Sequence, residues 1–133
     1  MSQENVEVVM RAWEAFREGG FASVRRLLHP DFELVRSGIQ FTESGTYRGY
    51  EAAMKSMQDY MGAFEDHRTE PEEFIDAGDR VVVAQSERGR ARSSSVELHE
   101  TWYAVCTLRE GKILRLQWFG DREQALQAVG LAD

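Results

Sequence analysis

Hydrophobic residues in the first half of the chain recur every three or four positions, the period of an α-helix. This spacing predicts one helix over residues 4–18, a second over 21–28 and a third over 49–64. His29 and Pro30 are expected to end the second helix, because proline cannot continue one.

After the third helix the pattern changes to the alternation typical of β-strands, interrupted by turn residues. The expected strands cover 72–75, 80–87, 96–108 and 113–119, with an earlier short strand at 31–35. Loops are predicted at 36–47 and 88–95, turns at 77–79 and 110–112, and a closing helix at 123–129. Helices that come first, followed by antiparallel strands, favour the α+β class.

Composition narrows the class of protein. The chain has 133 residues, of which 42% are hydrophobic, and this predicts one domain over 1–133 with a real core. The net charge of -7 disfavours binding to nucleic acid or to an anionic membrane. Neither a membrane-spanning run nor a signal peptide is evident, so we expect a cytoplasmic protein.

Three local patterns resemble those of a known superfamily: LLHPDFEL, YRGYEAAMKSM and REGKILRLQWFGDREQALQAVGL. Their order and spacing resemble the nuclear transport factor 2-like superfamily, and within it the SnoaL-like, polyketide cyclase-like group. The resemblance implies a cone-shaped fold, in which a strongly curved mixed or antiparallel sheet packs against three N-terminal helices and a short C-terminal helix follows. It also implies a deep pocket and a homodimer. Members include enzymes and binding proteins, so the fold does not name the function.

The catalytic positions of related enzymes are occupied by other residue types in this chain. Ketosteroid isomerases use a tyrosine, an acid that acts as the base and a second acid that stays protonated. The resemblance implies that Trp13 takes the place of the tyrosine and that the base falls near Arg36. The protonated acid falls near Ala104 or Tyr103. The isomerase machinery is therefore not expected.

Two further enzyme groups leave partial sets. Limonene epoxide hydrolases use an arginine and an aspartate on one strand and a second aspartate on the last strand. The resemblance places Gln85, Glu87 and Trp118 at these positions, so one of the two acids is retained. For the polyketide cyclases it points to Asp121. That residue directly precedes a predicted helix, where an aspartate is favoured as an N-cap.

Strand alternation predicts which side chains face the pocket. If Leu108 points inward, then Cys106, Ala104, Trp102 and Glu100 do so too. The same argument places Trp118 with Leu116 and Leu114, and Gln85 with Glu87. The predicted pocket-lining residues are Trp13, Arg36, Met54, Met57, Gln85, Glu87, Glu100, Trp102 and Trp118. The methionines can serve either as core filling or as an adaptable ligand wall.

The candidate chemistry is acid–base. Arg36 could pair with Glu87 or Glu100, since buried charges need partners. It could also bind a carboxylate or enolate of a ligand while one of these glutamates acts as acid or base. A third reading places some of these groups at the solvent-exposed rim.

The remaining reactive residue types suggest no further centre. His29, His67 and His99 lack the spacing of metal ligands, so neither a metal nor a cofactor is predicted. His67 is expected in an acidic loop. Cys106 is predicted to be a small core residue and not a nucleophile.

Three hypotheses follow. The first is a protein that binds a small hydrophobic or aromatic molecule in an internal pocket. The second is a small lyase, isomerase or hydrolase that uses Glu87 or Glu100 with Arg36. The third is a non-catalytic dimeric module whose outer sheet face forms the interface. The residues expected on that face are Tyr103, Val105, Ile113 and Phe119.

Overall fold

A computed structural model describes residues 2–36 and 45–131. In chain order the elements are α1 (Ser2–Gly19), α2 (Phe21–Val24), a 3-10 turn (Arg25–Leu27), β1 (Leu28–Arg36), β2 (Gly45–Arg48), α3 (Tyr50–Met61), β3 (Phe64–Ala77), β4 (Arg80–Ala91), β5 (Glu97–Arg109), β6 (Lys112–Phe119) and α4 (Arg122–Ala128). The predicted α+β class is confirmed.

The six described strands form one open sheet in the order β2-β1-β6-β5-β4-β3. Strands β1 and β6 run parallel, and the other neighbours are antiparallel, so the sheet is mixed. The inner face packs against α1, α2 and α3 through buried residues such as Val9, Ala53 and Val83. On the outer face, Ala125 of α4 and Val129 at its C-terminal end are buried against Val82 and Val105.

The predicted turn between β5 and β6 is present and has a clear local cause. Glu110 and Gly111 have φ angles of 54° and 76°. Two successive positive φ values match the twist of paired strands, and glycine adopts this conformation without steric cost.

The largest difference between the predicted and the observed elements concerns β3. The third helix was expected to run to residue 64, with the next strand beginning only at 72, but α3 ends at Met61 and β3 begins at Phe64. This strand lies at the edge of the described sheet and pairs with β4 alone. Polar residues and Pro71 are tolerated there because the strand's free side needs no ladder partner.

Two smaller boundaries also differ. The second predicted helix is reduced to α2 and a 3-10 turn, and His29 and Pro30 lie within β1. The β1–β6 pairing is interrupted between Leu28 and Glu33, so Pro30 removes no regular ladder hydrogen bond. The predicted loop at 88–95 begins as strand, because β4 continues to Ala91. Most of the predicted loop at 36–47 lies outside the described residues.

Ile113 lies on the inner face rather than the predicted outer face. It is buried in the cluster that includes Leu108 and Cys106. The β5–β6 pairing passes from Thr107↔Arg115 to Leu108↔Ile113 and so skips Leu114. One extra residue reverses the alternation of side chains along the strand.

Candidate functional site

A cavity of about 130 Å³ lies between the helices and the inner face of the sheet. Its wall is mainly aromatic and aliphatic, and its polar side chains come from β1, α3, β3 and β4. Eight of the nine predicted pocket residues line it: Trp13, Arg36, Met54, Met57, Gln85, Glu87, Trp102 and Trp118.

The ninth predicted residue, Glu100, is exposed and does not line the cavity. It stands opposite Glu87 in the β4–β5 ladder, as the alternation implies. Of the two candidate carboxylates, only Glu87 therefore borders the internal space.

Glu87 is the centre of a buried hydrogen-bond cluster and is only 3% exposed. Its Oε1 atom accepts hydrogen bonds from the Tyr60 hydroxyl at 2.8 Å and from Trp102 Nε1 at 2.6 Å. Its Oε2 atom lies 2.5 Å from His67 Nε2. A buried carboxylate is costly unless it is hydrogen-bonded, and three neighbouring groups satisfy this one.

His67 was expected in an acidic loop, but it lies on β3 with its side chain 9% exposed. The β3–β4 pairing leaves Asp66 and His67 opposite the single residue Gly89, which is a β-bulge. Asp66 has a φ of 53°, a conformation that aspartate tolerates better than most residues. The bulge redirects the following side chain, so His67 faces Glu87.

Gly89 leaves room for this bulge. A Cβ atom at that position would lie 3.2 Å from Phe64 Cβ and 3.5 Å from His67 Cα. The first distance is tighter than ordinary van der Waals contact. The missing side chain thus allows β3 to approach β4 where His67 turns inward.

Tyr60 and Phe64 hold the imidazole between them. The Phe64 ring stacks on His67 at a centroid distance of 5.6 Å, and the Tyr60 ring meets it edge-on at 6.3 Å. Burial and the nearby Glu87 carboxylate raise the pKa of Tyr60. The Tyr60 hydroxyl therefore stays protonated and donates a hydrogen bond to Glu87.

Arg36 is 7% exposed and is anchored by α3. Its Nη1 atom donates to Ser56 Oγ at 2.7 Å and to the Ser56 carbonyl at 3.3 Å. The guanidinium carbon lies 5.3 Å from the centre of the Tyr60 ring. Tyr60 thus connects Arg36 to Glu87: its ring lies beneath the guanidinium, and its hydroxyl donates a hydrogen bond to the carboxylate.

The second polar contact on the wall joins α1 to β4. Trp13 Nε1 donates to Gln85 Oε1 at 2.6 Å. Together with the contact between Trp102 and Glu87, it means that two indole N–H groups are satisfied by β4 side chains. Trp13 and Trp102 thereby present aromatic surface to the cavity with their own indole donors satisfied.

Two sequence interpretations outside the hydrogen-bond cluster are confirmed. Asp121 is the N-cap of α4 and accepts a hydrogen bond from the Glu123 backbone N–H at 3.1 Å. Cys106 is fully buried, and this burial raises the pKa of its thiol. Neither residue has the setting of a reactive group.

Residues 9–116 match the SnoaL-like domain family, and the chain belongs to that family. The resemblance inferred from the sequence is confirmed. No curated protein matches the chain significantly.

Solved structures show the same fold along nearly the whole chain. An NTF2-like protein from Burkholderia thailandensis E264 is 20% identical, with a TM-score of 0.80 and coverage of 96% of this chain and 95% of its own. An NTF2-like protein from Burkholderia xenovorans LB400 is 26% identical, with a TM-score of 0.74 and coverage of 97% of each chain. TerC, co-crystallised with polyporic acid, is 23% identical, with a TM-score of 0.75 and coverage of 95% and 98%.

These likenesses confirm the predicted NTF2-like cone as the architecture of the open sheet and its helices. Within residues 2–36 and 45–131, no helix has the length and apolar character needed to cross a membrane. In the same part of the chain, no three side chains of the types that ligate metals come together.

Proposed function

We propose that this protein binds a small hydrophobic or aromatic molecule in the internal cavity. The observation that carries the proposal is the wall itself, where Trp13, Trp102 and Trp118 border the same space as Met54 and Met57. Small-molecule sites are concave and mostly apolar, with a few placed polar groups that fix orientation. The polar groups on β4 meet that description.

Flat, unsaturated ligands suit this wall best. Indole rings offer rigid surface for stacking, and the flexible methionine side chains adapt to the outline of a ligand. TerC, a protein of the same fold, was co-crystallised with polyporic acid. That pairing supports the idea that cavities of this fold admit organic molecules, although the likeness concerns the fold alone.

Titration with p-nitrotoluene tests binding directly. Nitroaromatic compounds quench indole fluorescence, and three tryptophans line the cavity. We expect saturable quenching and a raised melting temperature in the wild type. The variant Met57→Phe, which enlarges a cavity-lining side chain, should bind more weakly.

Met10→Phe is the matched control, because Met10 lies exposed on α1. It should bind as the wild type does. Quenching that never saturates, or equal binding by both variants, would count against a site in the cavity.

A second candidate is an acid–base enzyme acting on the bound molecule. The burial of Glu87 on the cavity wall, beside His67 and Tyr60, favours it. The test is the exchange of hydrogen for deuterium beside the carbonyl of 2-indanone in heavy water, followed by NMR. Acceleration that Glu87→Gln abolishes would support catalysis, whereas a rate equal to that of buffer would remove this candidate.

A further inference from the structure

The hydrogen bond between Glu87 and His67 determines which imidazole nitrogen carries a proton. When Glu87 is a carboxylate it only accepts hydrogen bonds, and His67 Nε2 is then the donor across the 2.5 Å contact. In the neutral ring the other nitrogen, Nδ1, then holds a lone pair. Glu87 thus positions His67 as a proton acceptor.

His67 Nδ1 has no hydrogen-bond partner within the described part of the chain, and the residue lines the cavity. Phe64 and Tyr60 fix the plane of the ring. A molecule in the cavity can therefore meet an imidazole ring that is held in a defined orientation.

Arg36 favours a negative charge on such a molecule, and the neighbouring Tyr60 does not supply the proton in its place. Arg36 also borders the cavity, and its guanidinium carbon lies 5.3 Å from the centre of the same Tyr60 ring that meets His67 edge-on. Tyr60 keeps its proton, because burial and Glu87 raise its pKa, so it does not compete as an acid. Charge interactions are stronger in a buried site than in water.

We propose that the cavity selects aromatic molecules that carry an acidic hydroxyl group, and that His67 takes up the hydroxyl proton. This inference rests on the proposed binding function. The ligand O–H bond breaks, a bond forms between Nδ1 and the proton, and the electron pair stays on the ligand oxygen. The imidazolium then donates one N–H to that oxygen and the other to Glu87. The step requires no further reactant.

The charged and titratable groups around His67 come from four elements. Glu87 on β4 and Tyr60 on α3 contact the ring directly, whereas Arg36 on β1 and Glu100 on β5 act on Tyr60. Once the proton has moved, the imidazolium lies between two anionic oxygens, and Arg36 adds a second positive charge. This arrangement compensates the charge of the bound anion.

The experiment compares p-nitrophenol with p-nitrotoluene, which has the same aromatic ring but no acidic hydroxyl. The phenolate absorbs visible light and the phenol does not, so the protonation state of the bound probe can be read directly. We expect the apparent pKa of bound p-nitrophenol to fall by about one unit. This corresponds to about tenfold tighter binding of the phenolate than of the phenol.

His67→Gln should remove this shift and leave p-nitrotoluene binding in place. His99→Gln is the matched control, because His99 is exposed on β5, and it should behave as the wild type does. If the apparent pKa of bound p-nitrophenol were unshifted in the wild type, or if the shift survived His67→Gln, this inference would be overturned while the proposed function would stand. If neither probe binds, the proposed function fails and the inference fails with it.

The wild type also provides a test that does not depend on whether the variant folds. Nitrogen NMR of the His67 ring distinguishes its tautomers. We expect the neutral ring to be protonated at Nε2, and Glu87→Gln to alter this signature. A neutral ring protonated at Nδ1 in the wild type would overturn the inference.

Discussion

Replacing Glu87 by leucine tests how much the buried hydrogen-bond cluster contributes to the fold. Leucine has a similar size but no acceptor, so the hydroxyl of Tyr60, the indole of Trp102 and the imidazole of His67 all lose their hydrogen bond to residue 87. Tyr60 and His67 border the cavity, where water can replace Glu87, and each loss costs about 1 kcal/mol.

Trp102 also borders the cavity and is 8% exposed. Loss of the Glu87 acceptor from its indole N–H costs about 1–3 kcal/mol. Removing a buried carboxylate also relieves its own desolvation penalty, and this offsets part of the loss. We expect Glu87→Leu to lower the free energy of unfolding by about 3 kcal/mol.

Urea unfolding followed by circular dichroism measures this difference. Glu87→Gln retains an acceptor for Tyr60 and Trp102 and should cost about 1 kcal/mol. Glu100→Leu is the matched control, because Glu100 is exposed and faces Glu87 across the ladder; it should change stability by about 0.5 kcal/mol or less. If the two leucine variants had the same stability, the reasoning about the cluster would be refuted.

Three further predictions concern single groups. Asp121→Ala should lower stability by about 1 kcal/mol through loss of the α4 cap, while p-nitrotoluene affinity stays unchanged; impaired binding would contradict a purely capping role. Because burial raises the pKa of the Cys106 thiol, an aromatic disulfide reagent should modify it only as the protein unfolds, and immediate modification of the native protein would contradict this. The raised pKa of Tyr60 means that the unfolded chain ionises first, so stability should fall as the pH rises above about 10, and less steeply in Tyr60→Phe; equal slopes in urea titrations would count against it.

Elements with a clear periodic pattern were predictable. The helices α1 and α3 and the strands β4 to β6 each bury one face, and this burial is what the alternation of apolar and polar residues records. The N-cap at Asp121 was also predictable, because capping depends on residues that are neighbours in sequence.

The irregular parts of the sheet were not predictable, for a physical reason. A bulge adds one residue to a strand, and every side chain beyond it changes face relative to simple alternation. This reversal brings Ile113 inward in β6 and His67 inward in β3. Nothing in the local pattern marks the position of the extra residue.

The candidate site was predictable only in part. Glu87 could be placed on an inward strand position, but its partners Tyr60 and His67 come from α3 and β3. Their contacts with it depend on packing between elements that are distant in sequence. One general signal was present in the sequence: a buried glutamate requires donors, and the histidine of the expected acidic loop, His67, could supply one.

The irregular shape of β3 also bears on how the protein avoids aggregation. A strand of fourteen residues at a sheet edge could template pairing with another chain. Here two bulges, the missing N–H of Pro71 and seven charged residues interrupt the regular array of donors and acceptors that such pairing requires. The features that obscure this strand in the sequence therefore protect its edge from intermolecular sheet formation.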